Sequence, residues 1–201
     1  TINGQQRRYI ERMQSRLYTD MDDAFFVDCG LTYDGRNGDA SKTMMLSGGS
    51  GSWPYDEEIT LSVSSASYFT SGDVGSEIHM PYFEDDENKV LKLLIRSVVS
   101  GNQATVTSNR DVPEKFRGVT VSNWSMARGT FSGLDHLEGQ AVSILSDANV
   151  EPQKVVTGGS ITLEKAGAVV HAGLPIAAVI ETLDVNLNGN ETLLDKKKLF
   201  T

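Results

Sequence analysis

An imidazole beside carboxylates is the combination that hydrolytic sites and metal centres use. The sequence contains it once, in GLDHLEG, at Asp135, His136 and Glu138. No second histidine is near in sequence, and a turn between strands explains the same residues as capping groups, so we favour a turn over a hydrolytic or metal site. His79 and His171 are single histidines in strand-like sequence, and for each we expect a hydrogen-bonded structural role.

Four consecutive carboxylates, Glu84 to Glu87, are candidates for binding a cation, because calcium takes several carboxylate oxygens at one site. The Asp/Gly spacing of a calcium-binding loop is missing, which favours a solvated hairpin tip that opposes edge-to-edge association. Asp20, Asp22 and Asp23 receive the same interpretation. We predict no metal site and no cofactor, with the Glu84 to Glu87 cluster as the case that the sequence leaves open.

Nucleophilic and phosphate-binding motifs find no support in the sequence. The serines of GGSGS, Gly48 to Ser52, lie in a loose stretch and not in a Gly-x-Ser-x-Gly elbow between a strand and a helix. Phosphate-binding glycine loops need a strand before them and a helix after them, and no helical pattern follows any glycine cluster. We therefore predict that the chain is not an enzyme.

The elements that must position these residues are predicted to be short strands. Of 201 residues, 19 are glycine and only 7% are aromatic, which is typical of many turns and short strands. The predicted fold class is all-β, with two small barrel-like or sandwich-like units, one inserted into the other. The single cysteine, Cys29, excludes a disulfide within the chain and a cysteine-rich zinc site.

The domain organisation is predicted from the spacing of strand-length runs and from the glycine- and serine-rich segment between them. Residues 36–56 are rich in glycine and serine and predict a flexible linker. Strand-length runs restart after it, so we expect residues 57–126 to form an inserted module and residues 1–50 with 127–201 to form one discontinuous domain. Glycine pairs predict a chain reversal in GLTYDG, Gly30 to Gly35, and a hairpin at Gly158-Gly159.

Charge disfavours tight nucleic-acid binding over a broad surface. Lys and Arg number 18 against 27 Asp and Glu, which gives a net charge of −9 that repels a phosphate backbone. The local exceptions are Arg7-Arg8 with Arg12, and Lys196 to Lys198, which we interpret as a solvated tail. Apolar stretches such as Ala166 to Val170 are far shorter than the roughly 20 residues of a membrane helix, so we expect a soluble chain with no membrane contact.

A family resemblance is carried by RRYIERM, DAFFVDCGLTYDG, FSGLDHLEGQAVSILSDANVEPQKVVTGGSITL and VVHAGLP. These segments resemble the tail nozzle or hub proteins of short-tailed bacteriophages, also described as tail tubular protein B or packaged-DNA stabilisation protein. The resemblance covers about the first 35 and the last 75 residues. In relatives only a short spacer separates the matching segments, so the longer stretch here implies an insertion. Its opening, ITLSVSSASYFTSGDVGSEI, is similar to a small β module of phage structural proteins.

The resemblance implies a structural role in the virion. The chain would be an internal fragment of a longer, largely β-structured protein, an expectation that also fits its start at Thr1 without a methionine. The full-length protein would be made in the host cytoplasm and would self-associate into a ring in the virion tail. DNA would be retained by this ring and later ejected through it. Its partners would be other tail proteins, namely the adaptor, a fibre or a needle.

A carbohydrate-binding or adhesin-type β module for host-surface recognition is the alternative function. The aromatic residues Trp53, Tyr55, Tyr82 and Phe83 can supply stacking faces for sugars. The candidate interaction loop therefore comprises these four residues together with Glu84, Asp85 and Asp86. An acid-pair glycosidase is a third alternative, and it requires two carboxylates at a defined separation in a cleft.

Overall fold

The computed structural model describes residues 6, 8, 10–13, 15, 17–176 and 181. Twelve strands run through this part of the chain: β1 Val27–Asp34, β2 Met44–Ser47, β3 Ile59–Val63, β4 Glu77–Glu84, β5 Glu87–Ser100, β6 Gln103–Ser108, β7 Thr120–Val121, β8 Ser125–Ser132, β9 Ala141–Ser146, β10 Asn149–Val155, β11 Ser160–Gly167 and β12 Val169–Pro175. Three-residue 3-10 helices lie at Met21–Asp23, Ser71–Asp73, Glu114–Phe116 and Asp135–Leu137. No longer helix occurs among the described residues, and the all-β prediction is confirmed. Arg7 and Lys196 to Lys198 lie outside the described residues.

The larger sheet has eight strands in the order β11-β8-β4-β5-β6-β3-β2-β7. Its strands alternate buried and less buried residues, as in β3, where Ile59, Leu61 and Val63 all face the core. The buried side chains of this first core all fall between Met44 and Met126. The middle of the sequence therefore builds a hydrophobic core of its own.

The smaller sheet has four strands in the order β1-β12-β9-β10. Its antiparallel pairing brings the two ends of the described chain together, with Val27 opposite Pro175. A second core lies against it, formed by buried side chains between Leu134 and Ala172, with Cys29 and Tyr33 packed on its edge. Within the described residues, closure of either sheet into a barrel is not seen.

Strand β8 connects the two units. Its first half pairs with β4, with Met126 opposite Ile78, and its second half pairs with β11, with Phe131 opposite Ile161. Ile161 belongs to the second core although its strand joins the larger sheet. Strand β8 therefore runs from the first core to the second and pairs with a strand at each.

The chain passes the same point twice, once as it leaves β1 and again as it enters β8. The backbone N–H of Met126 donates to the carbonyl of Gly35 at 2.8 Å, and that of Asn37 donates to the carbonyl of Trp124 at 2.9 Å. A Cβ at Gly35 would overlap the carbonyl oxygen of Met126, so this close approach requires glycine. We call residues 35–37 and 124–126 the crossing. Paired outgoing and returning segments are the geometry expected where a module is inserted. Because β2 belongs to the first core, the module that we expect to fold on its own begins before β2 and not at residue 57.

Two local predictions differ from the structure. Residues 36–56 are not simply a flexible linker, because they contain β2, in which Met44 and Leu46 are fully buried in the first core. A four-residue strand is too short to show a period, and flanking glycines and serines hide it. GLTYDG is not a chain reversal either, because Gly30 to Asp34 lie within β1, after a register shift between Asp28 and Leu31, and Gly35 belongs to the crossing.

Candidate functional site

The acidic cluster forms the tip of the β4–β5 hairpin. Glu84 lies opposite Glu87, and the two residues between them, Asp85 and Asp86, have φ values of 55° and 57°. Two successive left-handed residues make the tight turn that matches the twist of an antiparallel hairpin, and Asp tolerates this conformation better than most residues. The cluster is therefore explained by turn geometry.

Lysines neutralise much of the charge at this tip. Lys89 lies with its Nζ 2.6 Å from Asp85 Oδ2, and Lys115 Nζ lies 3.2 Å from Glu84 Oε1. The hydrogen bond from Lys89 holds the pKa of Asp85 below its usual value. Across the described ranges, no group of three or more His, Cys, Asp or Glu side chains is placed to hold a metal ion.

Tyr82 and Phe83, just before the tip, have different environments. The Tyr82 ring packs edge-on against Phe116 at 5.4 Å between centroids, and Lys115 Nζ lies 4.6 Å from the Tyr82 centroid. Phe83 is 63% exposed, while its carbonyl accepts a hydrogen bond from Lys115 Nζ at 3.1 Å. Tyr82 therefore anchors the hairpin, and Phe83 presents its ring to solvent.

Trp53 and Tyr55 differ in exposure in the same way as Tyr82 and Phe83. Trp53 is half-buried against the first core, and its ring covers Gly49 so closely that a Cβ there would overlap it. Tyr55 is 65% exposed, and its backbone N–H donates to Asp111 Oδ1 at 2.9 Å. Trp53 is a structural residue of this loop, and Tyr55 is the aromatic side chain that remains available to a partner.

Both aromatic pairs contact the connection between β6 and β7. Val112 donates its backbone N–H to the carbonyl of Trp53 at 2.9 Å, and Phe116 supports Tyr82 from the same connection. We call the candidate interaction loop in this arrangement the tip surface, comprising Trp53, Tyr55, Tyr82, Phe83, Glu84, Asp85 and Asp86. Its exposed aromatic rings can stack on a flat ligand, while the carboxylates of Glu84 and Asp85 are paired with lysines.

The residues of GLDHLEG form a capped turn. Glu138 accepts backbone hydrogen bonds from Gly158 at 3.0 Å and Gly159 at 2.7 Å, and His136 Nε2 lies 2.8 Å from the carbonyl oxygen of Cys29. These contacts join the 3-10 helix at Asp135–Leu137 to the β10–β11 turn and to β1. The arrangement matches the capping role that the sequence favours.

The other two histidines are buried and hydrogen-bonded. His171 Nδ1 lies 2.8 Å from Thr32 Oγ1, and its Nε2 lies 2.7 Å from the carbonyl oxygen of Asp22. His79 Nε2 lies 2.9 Å from Glu77 Oε2, and this bond holds the pKa of Glu77 below its usual value. Both environments fit the structural roles expected from the sequence.

The aspartates near residue 20 have separate tasks. Asp20 Oδ1 accepts the backbone N–H of Asp22 at 3.1 Å, which caps the 3-10 helix at Met21–Asp23. Asp23 pairs with Arg36 at 2.7 Å. Burial, with the nearby Asp20, raises the pKa of Asp22. These aspartates therefore do not act together: Asp20 caps the short helix, and Asp23 forms an ion pair with Arg36.

The buried carboxylate of Asp73 makes hydrogen bonds that the sequence analysis does not predict. Asp73 is 3% exposed, and its Oδ1 accepts a hydrogen bond from Arg128 Nη2 at 2.7 Å. Its Oδ2 accepts from the backbone N–H and the hydroxyl of Thr70 at 2.8 and 3.0 Å. The available signal was the Thr-x-x-Asp spacing of a capping box. The interaction ties the first core to β8.

Comparison with known proteins identifies no family for the chain. No family model matches the sequence, and no curated protein matches it either. Among the described residues, no helix is long and apolar enough to span a membrane.

Proposed function

We propose that this chain is part of a structural tail protein of a short-tailed bacteriophage, of the nozzle or hub class. One observation carries the proposal: three of the four segments with the family resemblance contribute side chains to the second core. DAFFVDCGLTYDG contains β1, the long segment that ends in SITL contains β9, β10 and the start of β11, and VVHAGLP is β12. Residues 44–126, between them, supply the other core.

Charge and residue content support a structural role. The net charge of −9 disfavours adhesion to duplex DNA, as a passage that retains DNA and later releases it requires. In this proposal the full-length protein forms a ring in the virion tail and contacts the adaptor, a fibre or a needle.

Electron microscopy of the purified full-length gene product tests this proposal. We expect closed rings with a central channel, because nozzle subunits associate head to tail around an axis. Particles that remain single subunits at every concentration, or that assemble into open filaments, contradict a nozzle role.

Carbohydrate binding at the tip surface is the second candidate, favoured by the exposure of Tyr55 and Phe83 at the same end of the larger sheet. A glycan array probed with the intact chain and with Phe83→Ala or Tyr55→Ala tests it. Trp53→Ala is a poor probe, because Trp53 covers Gly49 and packs on the first core. Binding lost in the exposed-ring variants supports this candidate, and an array with no bound glycan contradicts it.

A further inference from the structure

A groove of about 510 Å³ lies beside the crossing, where the two units meet. One wall comes from the end of β1 and the segment that follows it, residues 33–39, and the other comes from Tyr68, Trp124 and Arg128. Ligand sites occur preferentially at such junctions, because two units can each contribute a wall. Neither function considered above uses this groove.

Aromatic rings line the groove. Tyr68 packs edge-on against Trp124 at 5.3 Å between centroids, and Tyr33 lies below the guanidinium of Arg128 at 6.0 Å from its centroid. Tyr33 and Tyr68 line the groove and are only half-buried. The Tyr33 ring also packs against Phe131 at 5.1 Å between centroids, and its hydroxyl donates to the carbonyl of Met126 at 2.9 Å. Burial raises the pKa of both tyrosines, that of Tyr68 to about 12, so both hydroxyls are neutral hydrogen-bonding groups.

The charged groups of the groove are largely compensated by one another. Arg36 donates to both oxygens of Asp34 at 3.0 and 2.8 Å, and Arg128 donates to Asp73. Asp39 accepts a hydrogen bond from the hydroxyl of Ser41 at 2.6 Å, and this bond, with the nearby charge of Lys42, holds the pKa of Asp39 below its usual value. A surface of fixed, paired polar groups between aromatic faces suits a ligand that has both hydroxyl groups and an apolar ring face, and it offers little to a polyanion.

The groove continues past Arg36. A second depression of about 390 Å³, beside His171 and Phe25, shares Asp34 and Arg36 with the first. Two adjoining depressions accommodate an extended ligand of several rings better than one compact molecule. A peptide is less suited, because recognition of an extended peptide uses a free sheet edge or an apolar groove, and the backbones of the crossing are already paired with each other.

We propose that this groove binds a neutral oligosaccharide, with sugar rings against Tyr33 and Tyr68 and hydroxyl groups on the paired charges around Arg36. The site is separate from the tip surface and does not depend on the tail role.

Gly38 allows a test that blocks the groove without disturbing the fold. It lines the groove, its φ is not in the left-handed region, and a Cβ there would meet nothing within 4 Å. Gly129 in β8 has the same open space and an ordinary φ, and it does not line the groove. Gly38→Trp therefore places a large ring on the wall of the groove, and Gly129→Trp is its matched control.

The experiment titrates the isotope-labelled chain with neutral hexasaccharides of glucose, N-acetylglucosamine, mannose and galactose and follows the backbone amide resonances. We expect at least one of them to shift amides of residues 33–42, 66–69 and 124–128 in a saturable way. Gly38→Trp should weaken that binding by about tenfold or more, while Gly129→Trp changes it by less than about twofold.

Four results would overturn the proposal. The first is that no neutral hexasaccharide shifts these amides at millimolar concentration, and the second is that the shifts map to Tyr55 and Phe83 instead. The third is that an acidic hexagalacturonate or an unrelated extended peptide binds the groove more tightly than every neutral sugar. Equal binding by Gly38→Trp and Gly129→Trp also contradicts it.

Discussion

Strand β2 should be essential to the first core, although its sequence resembles a linker. Leu46 is 1% exposed, and its neighbour Met45 is only half-buried and faces the other side of the strand. Replacing a fully buried leucine by alanine costs about 2–5 kcal/mol, because the lost contacts leave a cavity. We therefore expect Leu46→Ala to lower the free energy of unfolding by about 3 kcal/mol, and Met45→Ala by about 1 kcal/mol or less.

Urea denaturation followed by circular dichroism measures both variants. With a slope of about 2 kcal/mol per molar urea, the midpoint should fall by roughly 1.5 M for Leu46→Ala. The matched Met45→Ala chain should unfold within about 0.5 M of the parent. Equal midpoints for the two variants would refute the argument, because β2 would then contribute no core.

Truncation extends the same argument. A fragment of residues 38–128 keeps β2 and the returning segment of the crossing, while a fragment of residues 55–128 lacks β2. The first should unfold cooperatively, and the second should lose the buried contacts of Met44 and Leu46, a loss comparable to the whole stability of a small domain, about 5–15 kcal/mol. Cooperative folding of the shorter fragment would contradict this.

Three further predictions concern two single contacts and the net charge. Gly35→Ala should lower the thermal midpoint by several degrees, because the added Cβ meets the Met126 carbonyl. Gly38→Ala adds a Cβ in open space and should leave the midpoint almost unchanged, so similar melting of the two variants would disprove the close approach. The Arg36 hydrogen bond lowers the pKa of Asp34 from its usual value of 3.8. The stability that this bond contributes is therefore complete above pH 3.8 and disappears as the pH falls through the lower pKa of the folded chain. Carboxyl titration by NMR should show the lowered pKa, and Arg36→Gln should remove the shift. A mobility-shift assay with duplex DNA at about 150 mM salt should be blank, since binding without sequence preference needs cations on phosphates, and a clear shift would count against the charge argument.

The fold class could be predicted from the sequence because glycine-separated, strand-length runs are a local signal. The turn at Gly158-Gly159 is also local: both glycines have left-handed φ values of 58° and 66°, and an isolated bridge joins Thr157 to Ser160. The predicted hairpin is wrong beyond this bridge, because β10 and β11 do not pair as strands. Sequence could not show that β10 and β11, on either side of this turn, belong to different sheets, because pairing partners are chosen by tertiary packing.

The Asp-Gly pair at Asp34-Gly35 illustrates the same limit. It predicts a turn, since Gly is usually needed where φ is positive. Here Gly35 is needed because the backbone at Met126 approaches it, a contact between residues 91 positions apart (126 − 35). Spacing along the chain carries no information on such an approach.

The candidate site was predicted in part. Hairpin geometry explains the acidic cluster as the sequence favoured, but the four aromatic residues divide into two anchors and two exposed rings, which composition cannot distinguish. The groove at the crossing was not predicted, since Tyr33, Tyr68 and Arg128 come from three separated segments.

A density map of the virion tail is the most direct test of the proposed structural role. The proposal predicts a ring of subunits at the tail in which the four-stranded and eight-stranded sheets described here fit the density, with the first core, residues 44–126, as a separate lobe. Finding the full-length protein outside the tail, or absent from purified virions, would contradict it.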